Sequence, residues 1–267
     1  MSATLRAYAA AWGARFRASL QYRAAAMAGM VTQLFWGLMR VMILAAFYES
    51  STGQQPMSLD QVVSYVWLGQ ALLLMQPWYI DREILEEVAS GQVVYQLLRP
   101  LDLHTHWVCR DMANRLSGVV LRAVPELAIA GLFFGLAPPS SLAAAGAFAA
   151  TTLLALVLSS TLAAAVAVLT MWTISALGVR QIVGTIAMVL SGMIVPLAFF
   201  PAWSQPVVEN LPFALMMDTP GRFYTGALPL SALPIALLRG AVWLVILTLL
   251  GRWLLSRAKR RLVIQGG

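Results

Sequence analysis

Apolar residues fall along this chain in six long runs, each near the length of about 20 residues that an α-helix needs to cross a bilayer. The runs cover roughly 24–48, 61–80, 117–136, 142–172, 181–200 and 232–255. Ahead of them, Leu5, Tyr8, Trp12, Phe16 and Leu20 recur at steps of three and four, flanked by Arg6, Arg15 and Arg17. That spacing predicts an amphipathic helix within residues 1–23, lying in the membrane interface with its arginines toward anionic headgroups. Arginines 6, 15, 17 and 23 interrupt the stretch where a cleavable signal peptide would need an unbroken apolar core. The expected fold class is therefore an all-α polytopic membrane protein: an interfacial helix over 1–23, then a six-helix transmembrane domain over 24–267.

Two connections are too long to be turns. Residues 81–115 open with acidic side chains, break at Gly91, and run apolar through Leu98 to Arg99 and Pro100. Pro100 ends or kinks any helix there, so the segment reads as short amphipathic helices lying against the membrane face. Residues 201–230 hold five prolines yet are rich in Trp, Phe, Met and Leu. The prolines forbid a full span, and that much apolar surface does not suit a solvated loop. This segment is expected to dip back to the interface as short helices, a lid buried against the ends of the spans or against a second membrane chain, with Trp203 at interface depth where its ring can be buried.

Composition changes the picture only by fixing the solvent. Hydrophobic residues make up 60% of the 267 and charged residues 11%, against about 25% charged in a soluble domain. The net charge of +7 sits in short segments between apolar runs and comes from arginine, with Lys259 the only lysine. That distribution argues against a nucleic-acid-binding face. The connections 49–60 and 137–139 carry no Lys or Arg, and 201–229 carries only Arg222. The opposite connections hold the N-terminal arginines, then Arg82, Arg99, Arg110, Arg115 and Arg180, then the basic tail from Arg257. Both termini are thus expected to be cytoplasmic.

Catalytic chemistry finds little footing. There is no phosphate loop, no H-E-x-x-H and no G-x-S-x-G. The two histidines, His104 and His106, are spaced wrongly to share a metal on a helix, and no metal site is expected. Glu86-Glu87 lacks the arginine that a paired-glutamate protease would place near Gly91. The single cysteine, Cys109, allows no disulfide within the chain. Intramembrane charge is the better lead: Arg122 and Glu126 lie four apart in the third run and form a candidate ion pair, either structural or on a substrate path. Arg40, in the first run, either snorkels outward or faces a polar cavity. Small residues crowd the fourth run, and Gly131 and Gly135 form a G-x-x-x-G in the third, both favouring close helix packing.

The two long connections also carry a resemblance. Gly91-Gln92-Val93 through Leu98-Arg99-Pro100-Leu101-Asp102 resembles the G-x(4–6)-L-x-R-P-[LN]-[DN] signature of bacterial ABC permeases of the type-2 exporter class. Pro201, Trp203, Pro212, Phe213, Tyr224 and Gly226 are similar to the F-P-x-W, L-P-F and Y-x-G of that family's external segment, with Ala202 departing where glycine is the norm. The resemblance spans essentially the whole chain. It implies a multi-pass permease of the bacterial inner membrane that binds no cofactor, with ATP and Mg held by a separate cytoplasmic ABC ATPase dimer. It also implies a second permease, identical or related, completing the path. The interfacial helix with Trp12 and Phe16, and the loop with Gly91, Leu98, Arg99, Pro100 and Asp102, are implied to contact the ATPase. Such a permease exports lipids, peptides or natural products and is not itself an enzyme. The competing readings are an ATP-independent secondary transporter or channel, disfavoured by the lack of a midplane charge ladder, and an intramembrane enzyme, disfavoured by the missing motifs.

Overall fold

The computed structural model describes residues 3–77, 79–99, 101–172 and 176–260. Among them the chain is all helical, in twelve α-helices joined by short 3₁₀ turns. These are α1 (Ala3–Ser19), α2 (Arg23–Ser50), α3 (Leu59–Ala71), α4 (Arg82–Ala89), α5 (Val93–Leu97) and α6 (Leu103–Gly118). They continue as α7 (Val124–Phe133), α8 (Leu142–Leu169), α9 (Ala176–Leu190), α10 (Gln205–Val208), α11 (Asp218–Thr225) and α12 (Leu233–Lys259). A π-helical turn, Val119–Ala123, welds α6 to α7. Among the described residues four helical stretches are long and apolar enough to cross a bilayer: Arg23–Ser50, Leu103–Phe133, Leu142–Leu169 and Leu230–Lys259.

The remaining two apolar runs fold differently from the expected full spans. The second is α3, 13 residues, opened by a capping box in which Ser58 and Gln61 satisfy each other's backbone amides. It gives way to a 3₁₀ turn, Leu73–Met75, because Pro77 follows and has no amide to continue the ladder. The fifth, α9, stops at Leu190; Gly192 takes a left-handed φ of 80° and Pro196 bars resumption, leaving only the turn Leu197–Phe199. The third run departs in the other sense. Its helix starts at Leu103 rather than near Ser117, because the Asp102 carboxylate caps it by accepting from the Thr105 amide at 2.9 Å.

α8 sits at the centre. Its alanines and serines, among them Ala155, Ser159, Ser160, Ala163, Ala164 and Ala167, are almost wholly buried, so helices on either side approach closely. α12 lies along one side of it, where Gly240 leaves room for Leu154, and α6 along another. α2 packs on α3, with Gly37 facing the fully buried Trp67 ring. The outward faces of α2 and α12 stay apolar and exposed, including Phe35, Ile43, Leu238 and Leu249, as suits helices bounded by lipid or by another membrane chain.

Candidate coupling site at the arginine-rich end

One carboxylate organises the end of the bundle where the arginines gather. Asp81 caps α4 by accepting from the Glu83 amide at 3.0 Å, and its side chain is only 3% exposed. It accepts from Arg110 Nε of α6 at 2.9 Å, from Asn114 Nδ2 at 2.8 Å and from Arg15 Nη2 of α1 at 3.2 Å. Glu83 accepts from both arginines, at 2.8 Å from Arg15 and 2.6 Å from Arg110, and Glu87 accepts from Arg110 at 3.0 Å. Asn114 Oδ1 in turn accepts from Arg15 Nε at 2.7 Å and from the Ser19 hydroxyl at 2.8 Å. Two guanidinia meet three carboxylates here. A network this fully satisfied offsets the cost of removing the charges from water, and its forked geometry fixes how α1, α4 and α6 register on one another.

Arg15 therefore does not point to headgroups, as the amphipathic pattern suggested. Tyr8, Trp12, Arg15 and Ser19 fall at steps of four, three and four, which gathers them on the side of α1 turned to α6. Trp12 and Phe16 stack with ring centroids 5.1 Å apart, and the Tyr8 hydroxyl accepts from the Asp102 amide at 2.9 Å.

α5 hangs from the same frame. Gly91, at φ 75°, makes the left-handed turn between α4 and α5 that a residue with a Cβ would adopt only with strain. Trp107 Nε1 of α6 donates to Gln96 Oε1 at 2.9 Å, and Gln96 donates onward to Glu87 at 2.5 Å. Held so, α5 presents Tyr95 at 72% and Leu98 at 78% exposure, with Arg99 exposed beside them. Pro100 lies outside the described residues. Asp102, beyond it, also pairs with Arg252 of α12 at 3.6 Å. Burial raises the Asp102 carboxyl, but the bonds from Thr105 and the Arg252 charge outweigh it and hold the group below its ordinary value.

Residues 33–266 match a family described as ABC-2 family transporter protein. The chain belongs to the ABC-2 transporter family. Neither the curated proteins nor the solved structures gave a match. Membership makes the chain the membrane-embedded permease part of a transporter and implies partnership with an ATPase subunit.

At the opposite end of this ABC-2 permease, the segment after α9 folds back as α10, a 3₁₀ turn and α11. Leu215, Met216, Met217 and Phe223 are buried against α8, α12 and α3. Pro212 is buried and Phe213 half-buried. The anchor is Asp218, 1% exposed, which accepts from the Tyr65 hydroxyl of α3 at 3.0 Å, the Leu197 amide at 2.9 Å and Arg222 at 3.3 Å. Tyr224 donates to the Ala137 carbonyl at 3.0 Å, and Gly226, at φ 73°, ends α11 in a left-handed cap. Pro201 is exposed, and Trp203 is 81% exposed, so within the described residues of this one chain it is not buried.

The candidate Arg122–Glu126 pair does not form. Glu126 is fully buried and neither carboxylate oxygen has a hydrogen-bond partner, while the Arg122 guanidinium lies against Gly29 of α2. Arg122 lies in the π turn. Val124 donates to the Val119 carbonyl, five residues back, so the helix is locally wider at Arg122 than regular four-residue spacing assumes. Arg40, whose direction the sequence left open, donates inward to the Met193 carbonyl at 2.7 Å.

The Arg15, Asp81, Arg110 and Asn114 frame went unread in the sequence. Its members lie up to 99 positions apart, and only the four-residue spacing of Glu83 and Glu87 hinted at a shared acidic face. Among the described residues no cluster suited to a metal ion occurs.

Proposed function

We propose that this chain is the permease subunit of an ABC exporter, driven by a separate cytoplasmic ATPase dimer and completed by a second permease. In this reading it crosses the bacterial inner membrane six times with both termini in the cytoplasm. It carries a lipid, peptide or natural product outward. The two short helices α3 and α9, continued by their 3₁₀ turns, serve as the second and fifth spans.

One observation carries the reading. α5 is held out from the bundle by a satisfied polar frame, and its tip leaves Tyr95, Leu98 and Arg99 exposed among the described residues. An exposed aromatic, an exposed leucine and an arginine on a braced element form a surface made for a protein partner. The brace runs from α5 through Glu87 and Arg110 into α6, which continues unbroken into the third span. A push on α5 is thereby delivered to a membrane helix and to α1 together.

Co-expression with a candidate ABC ATPase from the same genome, followed by affinity purification and ATPase assay in vesicles, tests this. Leu98→Ala with Arg99→Ala should lower recovery of the ATPase or its coupled hydrolysis at least tenfold while the permease still inserts. Full recovery and full coupling in that variant would remove the ATPase from this surface.

A further inference from the structure

One cavity in the bundle takes no part in the frame described above. It has a volume of about 500 Å³ and lies between α9 and the segment that follows the 3₁₀ turn Leu73–Met75. Arg180, Gly184 and Met188 stand four apart along α9, and Gln181 and Thr185 form the next row, so a single stripe of the helix makes one wall. Ile80 closes the other side. Gly184 makes the room, for it is the one position on that stripe without a side chain.

The charge of this cavity is unbalanced. Arg180 lines it, yet none of the lining residues is Asp or Glu, and no acidic residue stands anywhere between Trp172 and Phe200. Arg180 has no ion-pair partner among the described residues, whereas Arg15, Arg110, Arg115 and Arg222 each have one. A guanidinium partly withdrawn from water without a counter-charge is costly, and an anion within its fork would offset that cost with charge-assisted hydrogen bonds. Gln181 adds amide donors one residue along. Thr185 already spends its own donor on the Gln181 carbonyl, at 3.0 Å. Two turns along α9 from Arg180 the stripe turns apolar at Met188, and Tyr79 and Ile80 make the facing wall. The cavity is thus cationic and polar at one end and greasy at the other.

We propose that this cavity binds an anionic amphiphile, its phosphate or carboxylate head on Arg180 and Gln181 and its chain along Met188 and Ile80. The proposal rests on the membrane-spanning reading but needs neither an ATPase nor transport. On the proposed topology Arg180 lies at the cytoplasmic end of the fifth span, so the ligand would come from the inner leaflet or the cytoplasm.

Binding to the purified full chain in uncharged detergent tests it, read as the shift in thermal unfolding with ligand concentration. Dioctanoyl phosphatidylglycerol should stabilise the chain in a saturable way that weakens with added salt. Dioctanoyl phosphatidylcholine and inorganic phosphate should bind at least tenfold more weakly, the first for want of net charge and the second for want of a chain. Arg180→Gln and Gly184→Leu should each weaken phosphatidylglycerol at least tenfold, one by removing charge and the other by filling space. Arg180→Lys should retain part of it, and Arg17→Gln, on the exposed face of α1, should change nothing. Equal binding of phosphate and phosphatidylglycerol would reduce the site to a simple anion site and overturn the amphiphile. Unchanged phosphatidylglycerol binding in both cavity variants would overturn the site. Because the assay contains no ATPase, failure here leaves the exporter reading standing, and failure of coupling leaves this one standing.

Discussion

Asp81 and Arg110 are 29 residues apart in sequence and 2.9 Å apart in space, with the aspartate side chain 3% exposed and the arginine 12%. The pair joins the start of α4 to the long helical stretch Leu103–Phe133, and Arg15 of α1 shares the same carboxylate. Asp81→Ala therefore strips a counter-charge from two partly buried guanidinia at once. The expected cost is about 3 kcal/mol, seen as a lower thermal midpoint in detergent. Asp81→Asn, which keeps the shape and some bonds, should fall between the two. A midpoint unchanged in Asp81→Ala would show that the frame is decorative.

At the other end, Tyr65 and Asp218 hold the folded-back segment to α3 at 3.0 Å. Tyr65→Phe leaves the buried Asp218 one donor short and should destabilise the protein by about 1–2 kcal/mol. The same variant should loosen the segment selectively. In a Cys109→Ser background, Leu215→Cys and Met217→Cys should react slowly with an impermeant maleimide and Trp203→Cys quickly, since the first two are buried and Trp203 is exposed. Adding Tyr65→Phe should speed the first two and leave the third alone. Uniform fast labelling at all three positions would reject a packed lid.

Gly37 faces Trp67, and any Cβ placed there would overlap the indole ring. Trp67 cannot yield easily: it is fully buried, its Nε1 donates to the Phe134 carbonyl at 2.9 Å, and it stacks on the Phe134 ring. Gly37→Ala should thus wedge α2 from α3 at a cost of about 1–3 kcal/mol. Gly13→Ala, where a Cβ meets nothing, serves as the control and should be neutral or slightly stabilising, as helix propensity dictates.

What the sequence made legible follows from which forces act locally. Apolar runs and helical spacing place α2, α8 and α12 to within a few residues, helped at α8 by Ser141, which caps it with its hydroxyl. They fail where partners distant in sequence decide. The stretch from Leu103 to Ser117 looks too polar to belong to a long membrane helix, yet its charges are cancelled one by one. Arg110 meets Asp81 and the glutamates of α4. Arg115 pairs with Asp111 and donates to the carbonyls of Gln76 and Tyr79, at 2.6 and 2.7 Å. Those carbonyls lie in the irregular segment that follows the broken second run, so the break places them where the buried arginine can reach them. Arg122 and Glu126 mislead in the opposite way, since their spacing suggests a pair that does not form.

Topology can be checked directly. Alkaline phosphatase fused after Gly53, in the connection that carries no Lys or Arg, should be active, and the same enzyme fused after Gly267 should be inactive. A cytoplasmic reporter should give the reverse. Activity of the phosphatase at both sites would require an even number of spans between them, against the five proposed, and would remove the proposed orientation.

Asp102 offers a test in which two roles of one side chain separate. It caps α6 through the Thr105 amide, and it faces Arg252 of α12 at 3.6 Å. Asparagine caps a helix about as well as aspartate but carries no charge, so Asp102→Asn should be nearly neutral, while Asp102→Ala should cost about 1 kcal/mol at pH 7. The pair with Arg252 is about half exposed and adds little. The pH dependence then has a definite sign. Because the folded protein holds this carboxyl below its ordinary value, its stabilising contribution is complete above the ordinary carboxylate range of about 4 and is lost as pH falls through the lower, folded value. The gap between the unmodified chain and Asp102→Ala should stay constant from pH 7 to pH 5 and narrow only on further acidification. The gap between Asp102→Asn and Asp102→Ala should not narrow, since neither side chain titrates. A gap to the unmodified chain that closed between pH 7 and pH 6 would assign the effect to a neighbouring imidazole, His104 or His106, and remove the carboxylate cap as the element that starts the long helix at Leu103.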